Sequence, residues 1–456
     1  MSTRIPSSWV ESTFSELNQF ESSTTNPAQH PQEEFELYSV PIFPTGKPEL
    51  LKGAAIGSTK QTVEQNDVLV CKINPRINRV WQVGGKQKFR QIASSEWIGF
   101  RSNVLNLKFY KHYFTSASFR ELICTDLTGV GGSLTRAQPK KVATFPMPLA
   151  PLDEQKRIAD KLDVVLAQVD ACRDRLDRIP AILKRFRQSV LAAATSGKLT
   201  ADWRNQLGES MCSVKVTDPY SHTVVAPDSW RKTSFGEVCD LIGGSQPPKS
   251  TFVHDESDDV VRLIQIRDYK SDKFKVFIPR KLARRFCNKT EVMIGRYGPP
   301  IFQILRGLEG AYNVALMKAE PKIEELELDY LFYWLKGETL LRYVESGSER
   351  TAGQDGIRKE LLNVYPFFLP PKDEQTEIVR RVETLFACAD RLVARHTTAR
   401  AQVEKLTPAT LAKAFRGELV PQDPNDEPAS ALLERIKAHR SNQAAINPKR
   451  SRKAMA

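Results

Sequence analysis

The stretch PLDEQKRI at residues 151–158 returns as PKDEQTEI at residues 371–378, an offset of 220 that carries Asp153, Glu154, Gln155 and Ile158 onto Asp373, Glu374, Gln375 and Ile378. The same offset takes Asp170 onto Asp390 without a gap, and then Leu191, Ala192, Ala194, Gly197 and Leu199 onto Leu411, Ala412, Ala414, Gly417 and Leu419. A constant offset over so long a stretch marks a duplicated element, and a repeated unit dictates the architecture. Upstream of each copy, Pro6, Trp9 and Phe14 match Pro227, Trp230 and Phe235 at an offset of 221. Each half therefore reads as a variable domain followed by a shared segment.

The shared segment has the hydrophobic period of a coiled coil. Ile158, Val165, Cys172, Ile179, Phe186 and Ala193 recur every seven residues, and Leu162, Val169, Leu176, Leu183 and Val190 form a second series shifted by four. These are the two seam positions of a heptad. In the second copy one series is Ile378, Leu385, Leu392, Ala399 and Leu406, and the other is Val382, Ala389 and Val403, interrupted by His396. Two matched seams in one chain predict that the helices pair with each other, antiparallel. Asp153 and Asp373 stand where an N-cap belongs, and Gly197 and Gly417 where the chain leaves the helix in a left-handed conformation. Pro180 and Pro408 are expected to kink or interrupt the helices, because proline removes a donor and clashes with the preceding turn. At ~1.5 Å per residue, such a helix is long enough to act as a spacer.

The variable parts are of another kind. Asp67–Lys72 and Glu291–Arg296 read as short buried strands, each followed by turn-forming Pro or Gly. Tyr110–Ile123 and Asp329–Val344 are aromatic-rich and read as helices, followed by glycine-rich stretches at 129–132 and 347–356 and by strands ending near Pro146 and Pro366. The expected fold is α+β: two mixed α/β recognition domains separated by two long antiparallel coiled-coil helices, with a pseudo-two-fold repeat. The expected segments are a first domain at 1–150, a helix at 151–200, a linker at 201–226, a second domain at 227–371, a helix at 372–420 and a tail at 421–456. Within that tail 421–428 reads as a loop, 429–440 as a short helix, and Lys449, Arg450, Arg452 and Lys453 as a basic end.

At 456 residues the chain can bury two or three cores, and its hydrophobic fraction of 41% with a charged fraction of 27% is that of a globular protein. No apolar run approaches the ~20 residues that span a membrane, and the first residues carry no leader pattern, so the expected location is the cytoplasm. The seven cysteines include no pair at C-x-x-C spacing, which argues against both a disulfide framework and a zinc finger. The net charge of +13 favours a polyanionic partner, because each neutralised phosphate releases counterions. Nucleic acid leads that class.

The tests for catalysis fail. There is no phosphate-binding loop of the G-x-x-x-x-G-K-S/T kind and no H-E-x-x-H pair, and the six histidines are dispersed. Gly129–Gly132 lacks a dinucleotide-binding context, and Gly298, Pro299 and Pro300 lack the acidic or amide residue that an amino-methyltransferase places before its prolines. Glu154, Gln155 and Lys156 imitate the E-x-K end of a nuclease metal site. In the duplicate, however, Thr376 replaces the lysine while the acids remain, which suits acids at a helix N-terminus and not a metal site.

Taken together, the paired D-E-Q helix starts, the heptads, the G-x-L exits and the stretch Asp423–Ser430 with Leu432–Ile436 after it resemble the specificity subunits of type I restriction-modification systems, over nearly the whole chain. The resemblance implies that each variable domain reads one half of a split asymmetric sequence in double-stranded DNA. It implies that the helices fix the unread spacer and dock two methyltransferase subunits, and that restriction subunits join them. S-adenosylmethionine, ATP and Mg²⁺ then belong to the partners, with no cofactor and no catalytic residue in this chain. The rival expectation is a DNA-binding regulator or adaptor without methyltransferase partners.

Family motifs do not reveal which residues touch DNA, so the candidates are chemical. In the first domain they are Lys72, Asn74, Arg76, Asn78 and Arg79 after a strand, then Lys86, Lys88 and Arg90, then Arg101 and Ser102. In the second they are Gln265, Arg267, Lys270, Arg296, Tyr297, Arg350, Thr351 and Gln354. Arginine pairs with guanine, Asn or Gln with adenine, and lysine mostly with phosphate.

Overall fold

The computed structural model describes residues 5–85, 88–125, 135–208, 213–217, 223–298, 300–347, 349–351 and 354–446, with backbone alone at 217, 349–351, 354–356 and 442–446. The glycine-rich stretch at 129–132 and the basic end lie outside these residues. The chain forms two units, one of residues 1–177 with 398–456 and the other of residues 178–397, and the division falls inside both long helices.

Those helices are Leu152–Thr195 and Lys372–Phe415, of 44 residues each. Pro180 and Pro408, expected to kink or interrupt them, do not interrupt them and lie inside continuous helix. Each proline withdraws one hydrogen bond from a ladder of dozens, and both residues are exposed, so the flanking turns hold the helix through them. Each helix also begins one residue before the expected cap, which places Asp153 and Asp373 in the first turn, where they still face the positive end of the helix dipole. The exits are as expected: Gly197 (φ 70°) and Gly417 (φ 72°) are left-handed.

The helices run antiparallel. In the first unit Arg173 reaches Glu404 at 3.3 Å and Arg400 pairs with Asp177, while in the second Arg187 pairs with Asp390 at 2.5 Å. Ile158, Leu162, Val169, Leu183, Val190, Ile378, Val382 and Ala389 of the heptad series are buried, and Val165, Leu176, Ile179, Leu385 and Val403 are half-buried. Phe186, Leu392 and Leu406 depart from the seam and are exposed by 36%, 45% and 45%.

The duplicated motif is a joint that builds each unit from the start of one long helix and the exit of the other. In the second unit Trp230 folds back on a turn closed by its N–H to the Pro227 carbonyl at 3.2 Å and donates its indole N–H to Glu374 at 2.8 Å. In the first, Trp9 repeats the turn on Pro6 at 3.0 Å and donates to Glu154 at 2.9 Å. A β-carbon on Gly197 would overlap the ring of Pro227, and one on Gly417 the ring of Pro6, so both exit glycines are fixed by close packing as well as by φ. The glutamine of the motif has its own task. Gln155 accepts the backbone N–H of Asn106 at 3.1 Å, and Gln375 that of Glu327 at 2.9 Å, at the N-caps of the aromatic helices Leu107–Thr115 and Leu328–Leu335.

Both units share one sheet topology. In the first, Glu34–Tyr38 runs parallel to Arg90–Ala93, and this pair is flanked by antiparallel Glu49–Lys52 and Lys60–Thr62, with Thr24–Thr25 beyond. In the second, Val260–Ile264 runs parallel to Gly310–Tyr312, flanked by antiparallel Phe277–Pro279 and Phe286–Cys287. A second sheet is also repeated: Val80–Gln82, Val68–Cys71 and Trp97–Phe100 in one unit, and Gln303–Leu305, Val292–Gly295 and Leu316–Pro321 in the other, the last with Cys239–Gly243 added. Each domain starts with a strand and capping box, Val10–Thr13 with Glu16 and Arg231–Ser234 with Glu237. That first strand pairs with Pro146–Leu149 or Pro366–Leu369. These two strands begin at their prolines instead of ending there, since an edge position tolerates a missing donor. Gly236, whose counterpart is Ser15, lies where a β-carbon would press on Asn363.

The segment read as a linker at 201–226 is structured: Ala201–Gln206 is helical, and Ser213–Thr217 pairs with Thr223–Pro227 as a hairpin. Its amphipathic pattern is too short to register as a period. The tail helix is longer than expected, Ala429–Ile446, and buries Ala429, Leu432 and Ile436 in the core of the first unit. No helix among the described residues is long and apolar enough to cross a membrane.

Candidate nucleic-acid interface

Five of the first-unit candidates share one hairpin loop. Val68–Cys71 and Val80–Gln82 pair antiparallel, and between them Pro75–Ile77 makes a single 3₁₀ turn bounded by Asn74 (φ 49°, ψ 58°) and Asn78 (φ 53°, ψ 61°), both left-handed. Asparagine enters that region more readily than other residues carrying a β-carbon. The loop is pinned from outside by the Asn74 N–H to the Thr135 carbonyl at 2.8 Å and the Asn78 amide to the Thr115 carbonyl at 3.0 Å. Lys72 is half-buried, Arg76 is exposed, and neither has an ion pair with a described residue. Arg79 leans back toward the Ile73 carbonyl at 3.5 Å.

Other candidates of this unit serve the fold. Arg101 grips Asp67 at 2.7 and 2.6 Å and Glu64 at 2.8 Å, and the hydrogen bond it donates to the buried Asp67 raises its guanidinium above its usual range. Ser102 is buried and accepts the Val104 N–H at 3.3 Å. Arg90 pairs with Glu33 at 2.8 Å and stacks on Phe35 with 4.9 Å to the ring centre. Lys88 is exposed beside Phe89, and Lys86 lies outside the described residues.

In the second unit the structure brings two candidate groups together. Val292–Gly295 ends against the turn Ile266–Tyr269, so closely that a β-carbon on Gly295 would come within 3.2 Å of the Ile266 side chain. Gln265 and Arg267 flank Ile266 in the chain, and Arg296 and Tyr297 follow Gly295 directly. Arg296 lies over the Tyr297 ring at 5.1 Å, and Arg267, exposed, over Phe274 at 5.0 Å. Lys270 is exposed as well. Sequence reasoning missed Asp268 and Tyr269 in this turn. Asp268 is buried, burial pushes its carboxyl above the usual range, and one of its oxygens, like the Tyr269 hydroxyl and the Gln265 amide nitrogen, finds no partner among the described residues. Arg350, Thr351 and Gln354 fall on a hairpin, Glu349–Thr351 with Gln354–Gly356, whose side chains lie outside the described residues.

The nuclease-like trio does not converge on a common point. Lys156 bonds Asp153 at 2.8 Å on the surface, while Glu154 is buried and engaged by Trp9. Among the described residues no three His, Cys, Asp or Glu side chains gather as a metal site.

A duplicated α+β domain rooted on paired long helices, with cations presented at a fixed hairpin in each copy, defines a DNA-specificity scaffold. Residues 227–400 match the family model described as type I restriction modification DNA specificity domain. The chain is 33% identical to the type I restriction enzyme EcoKI specificity subunit of Escherichia coli over 76% of its own length and 74% of that protein. It is 34% identical to the EcoBI specificity subunit of Escherichia coli over 67% and 66% of the two chains, and 33% identical to the StySPI subunit of Salmonella potsdam over 73% and 72%. The crystal structure of an HsdS subunit from Thermoanaerobacter tengcongensis shares the fold, with a TM-score of 0.63 at 22% identity over 91% of this chain and 98% of that one. The chain belongs to the specificity subunits of type I restriction enzymes, the DNA-recognising, non-catalytic members of those complexes.

Proposed function

We propose that each unit reads one half of a split, asymmetric sequence in double-stranded DNA, and that the two long helices set the unread spacer and dock two methyltransferase subunits. The observation that carries this reading is the duplication of the whole recognition domain, sheet topology and hairpin included, on two antiparallel helices. Repetition of the scaffold with divergent side chains suits two half-sites of different sequence on one common duplex. Adenine modification with S-adenosylmethionine, and cleavage with ATP and Mg²⁺ where restriction subunits join, reside on those partners, in the cytoplasm. The sequence-level segments 1–150 and 227–371 remain the proposed exchangeable domains.

The test is co-expression with the methyltransferase subunit and single-base mapping of adenine methylation. The expected result is one two-part motif with a fixed gap. Replacement of residues 227–370 by the domain of another family member should change one half of that motif and leave the other. A stable complex that methylates nothing, or an unsplit site, would favour an adaptor without methyltransferase function.

A further inference from the structure

The hairpin that carries Lys72 recurs in the second unit where the sequences no longer align by eye. Strand pairing fixes the correspondence. Leu69 faces Trp81 and Val70 faces Val80 in one unit, and Met293 faces Leu305 and Ile294 faces Ile304 in the other, all related by an offset of 224. That offset places Lys72 on Arg296, Asn74 on Gly298, Pro75 on Pro299, Ile77 on Ile301 and Asn78 on Phe302. The backbone agrees. Asn74 and Gly298 both have positive φ (49° and 97°), and so do Asn78 and Phe302 (53° and 58°). Among the described residues only four positions other than glycine have positive φ, and three of them lie in these two loops. Phenylalanine does not adopt this conformation by preference, so at Phe302, whose side chain is buried in the core, the fold imposes it.

Inside the repeated frame some side chains keep their chemistry and others change it. The cation is kept, lysine in one copy and arginine in the other. Its backbone is pinned alike, by the Lys72 N–H to the Glu96 carbonyl at 2.9 Å and the Arg296 N–H to the Ala315 carbonyl at 2.8 Å. Neither cation has an ion pair or a side-chain hydrogen bond with a described residue, in contrast to Arg90 and Arg101. Arg76 against Pro300, Asn78 against Phe302 and Arg79 against Gln303 are not kept. The two halves of an asymmetric site differ in their bases and share their phosphates. A group conserved between two domains that otherwise diverge matches the shared part of the ligand.

Resting on the reading of two half-sites above, we propose that Lys72 and Arg296 are the sequence-independent backbone contacts of the two half-sites, each gripping a DNA phosphate from the same hairpin position, while the bases are read by residues that differ between the copies. This divides the candidate list: Lys72 and Arg296 position the duplex, and the groups around the Gln265 turn and the Arg76 tip discriminate.

The experiment uses the full complex with its methyltransferase, carrying Lys72→Ala, Arg296→Ala, both together, or the conservative Lys72→Arg and Arg296→Lys. Binding to duplexes with and without the cognate motif is measured across a salt series, and the methylated motif is mapped for each variant. Each alanine variant should weaken cognate and non-cognate binding alike by about 3- to 10-fold and reduce the salt slope by about 0.9 per cation lost. The methylated motif should not change, and the conservative variants should restore slope and affinity. A motif relaxed at a base in the corresponding half, or unchanged affinity and slope, would overturn the assignment. Failure of the parent reading is distinct, because the unmutated complex would then show no two-part motif.

Discussion

Trp230 donates its indole N–H to Glu374 at 2.8 Å, and the other oxygen of the same buried carboxylate receives Thr200 at 2.6 Å and the Arg204 guanidinium. Three segments meet at one acid: the start of the second domain, the start of the second long helix and the exit of the first. The counterpart in the first unit differs. Glu154 takes Trp9 and the amide of Gln422, with no cation in Arg204's place, and burial pushes its carboxyl above the usual range.

That difference sets an unequal response to the same substitution. Glu374→Gln leaves Arg204, 5% exposed, as an unpaired buried charge and should destabilise the second unit by about 3–5 kcal/mol. Glu154→Gln exchanges one acceptor for a donor among neutral partners, and about 1–3 kcal/mol is expected. Urea unfolding followed by amide hydrogen exchange, read separately in the two units, checks the ranking. Equal losses in both would mean that Arg204 finds another partner.

The acid response of the first unit should centre on His112, which is 7% exposed and lies 2.8 Å from Asp163. Burial lowers its pKa from the ordinary 6.5 and outweighs the hydrogen bond to Asp163, which acts the other way. The folded state therefore binds this proton less readily than the unfolded state. The stabilisation is complete above about pH 6.5 and is lost as pH falls through the lowered value. Asp163 adds a second loss in more acid solution, because bonds from His112 and Lys108 overcome its burial and hold it below the usual carboxylate range. His112→Gln should flatten the first of these slopes. Thermal melting between about pH 7.5 and about pH 5 measures it, and an unchanged slope in the variant would assign the titration elsewhere.

How much of this was legible in the sequence follows from what each feature depends on. The long helices, the D-E-Q starts and the exit glycines were legible because they recur with identity: the same acid meets the same tryptophan in both units. The hairpin of Lys72 and Arg296 was only half legible. Both strands stood out as apolar runs, but what equates the loops is strand register and positive φ, and Asn74 with Gly298 or Asn78 with Phe302 reach that φ with unrelated side chains. Candidate cations were chosen by type, and type alone could not distinguish Arg101, engaged by Asp67 from elsewhere in the chain, from Lys72, whose ammonium has no ion pair or hydrogen bond with a described residue. The paired strands Ser213–Thr217 and Thr223–Pro227 were missed because strands of 5 residues are too short to declare a period.

The exit glycines allow a test of packing against backbone strain. Gly197→Ala and Gly417→Ala add a β-carbon both at positive φ and against a proline ring, whereas Gly208 has a similar φ of 75° with open space around it. Gly208→Ala should cost about 1 kcal/mol from conformation alone, and the other two clearly more. Comparison of denaturation midpoints separates the two contributions. Three equal losses would show that Pro6 and Pro227 yield to the added carbon.

The two long helices leave apolar side chains in solvent, some of them outside the heptad series, and their exposure bears on the partners. In the second unit Ile182 is 51% exposed and Leu392 45%, and in the first Val164 is 55% and Leu406 45%. An exposed side chain contributes little to its own fold, so Ile182→Ser with Leu392→Ser, or Val164→Ser with Leu406→Ser, should change stability by about 1 kcal/mol or less. If these residues are where methyltransferase subunits seat, each pair of substitutions should weaken assembly at least about tenfold, since fully burying a Val, Leu or Ile side chain is worth about 1.5–3 kcal/mol. Sedimentation of the co-expressed complex distinguishes the outcomes. A loss of one methyltransferase per substituted pair would assign one docking surface to each unit, a loss of both would indicate a shared surface, and intact complexes with both pairs substituted would move the docking site off the helices.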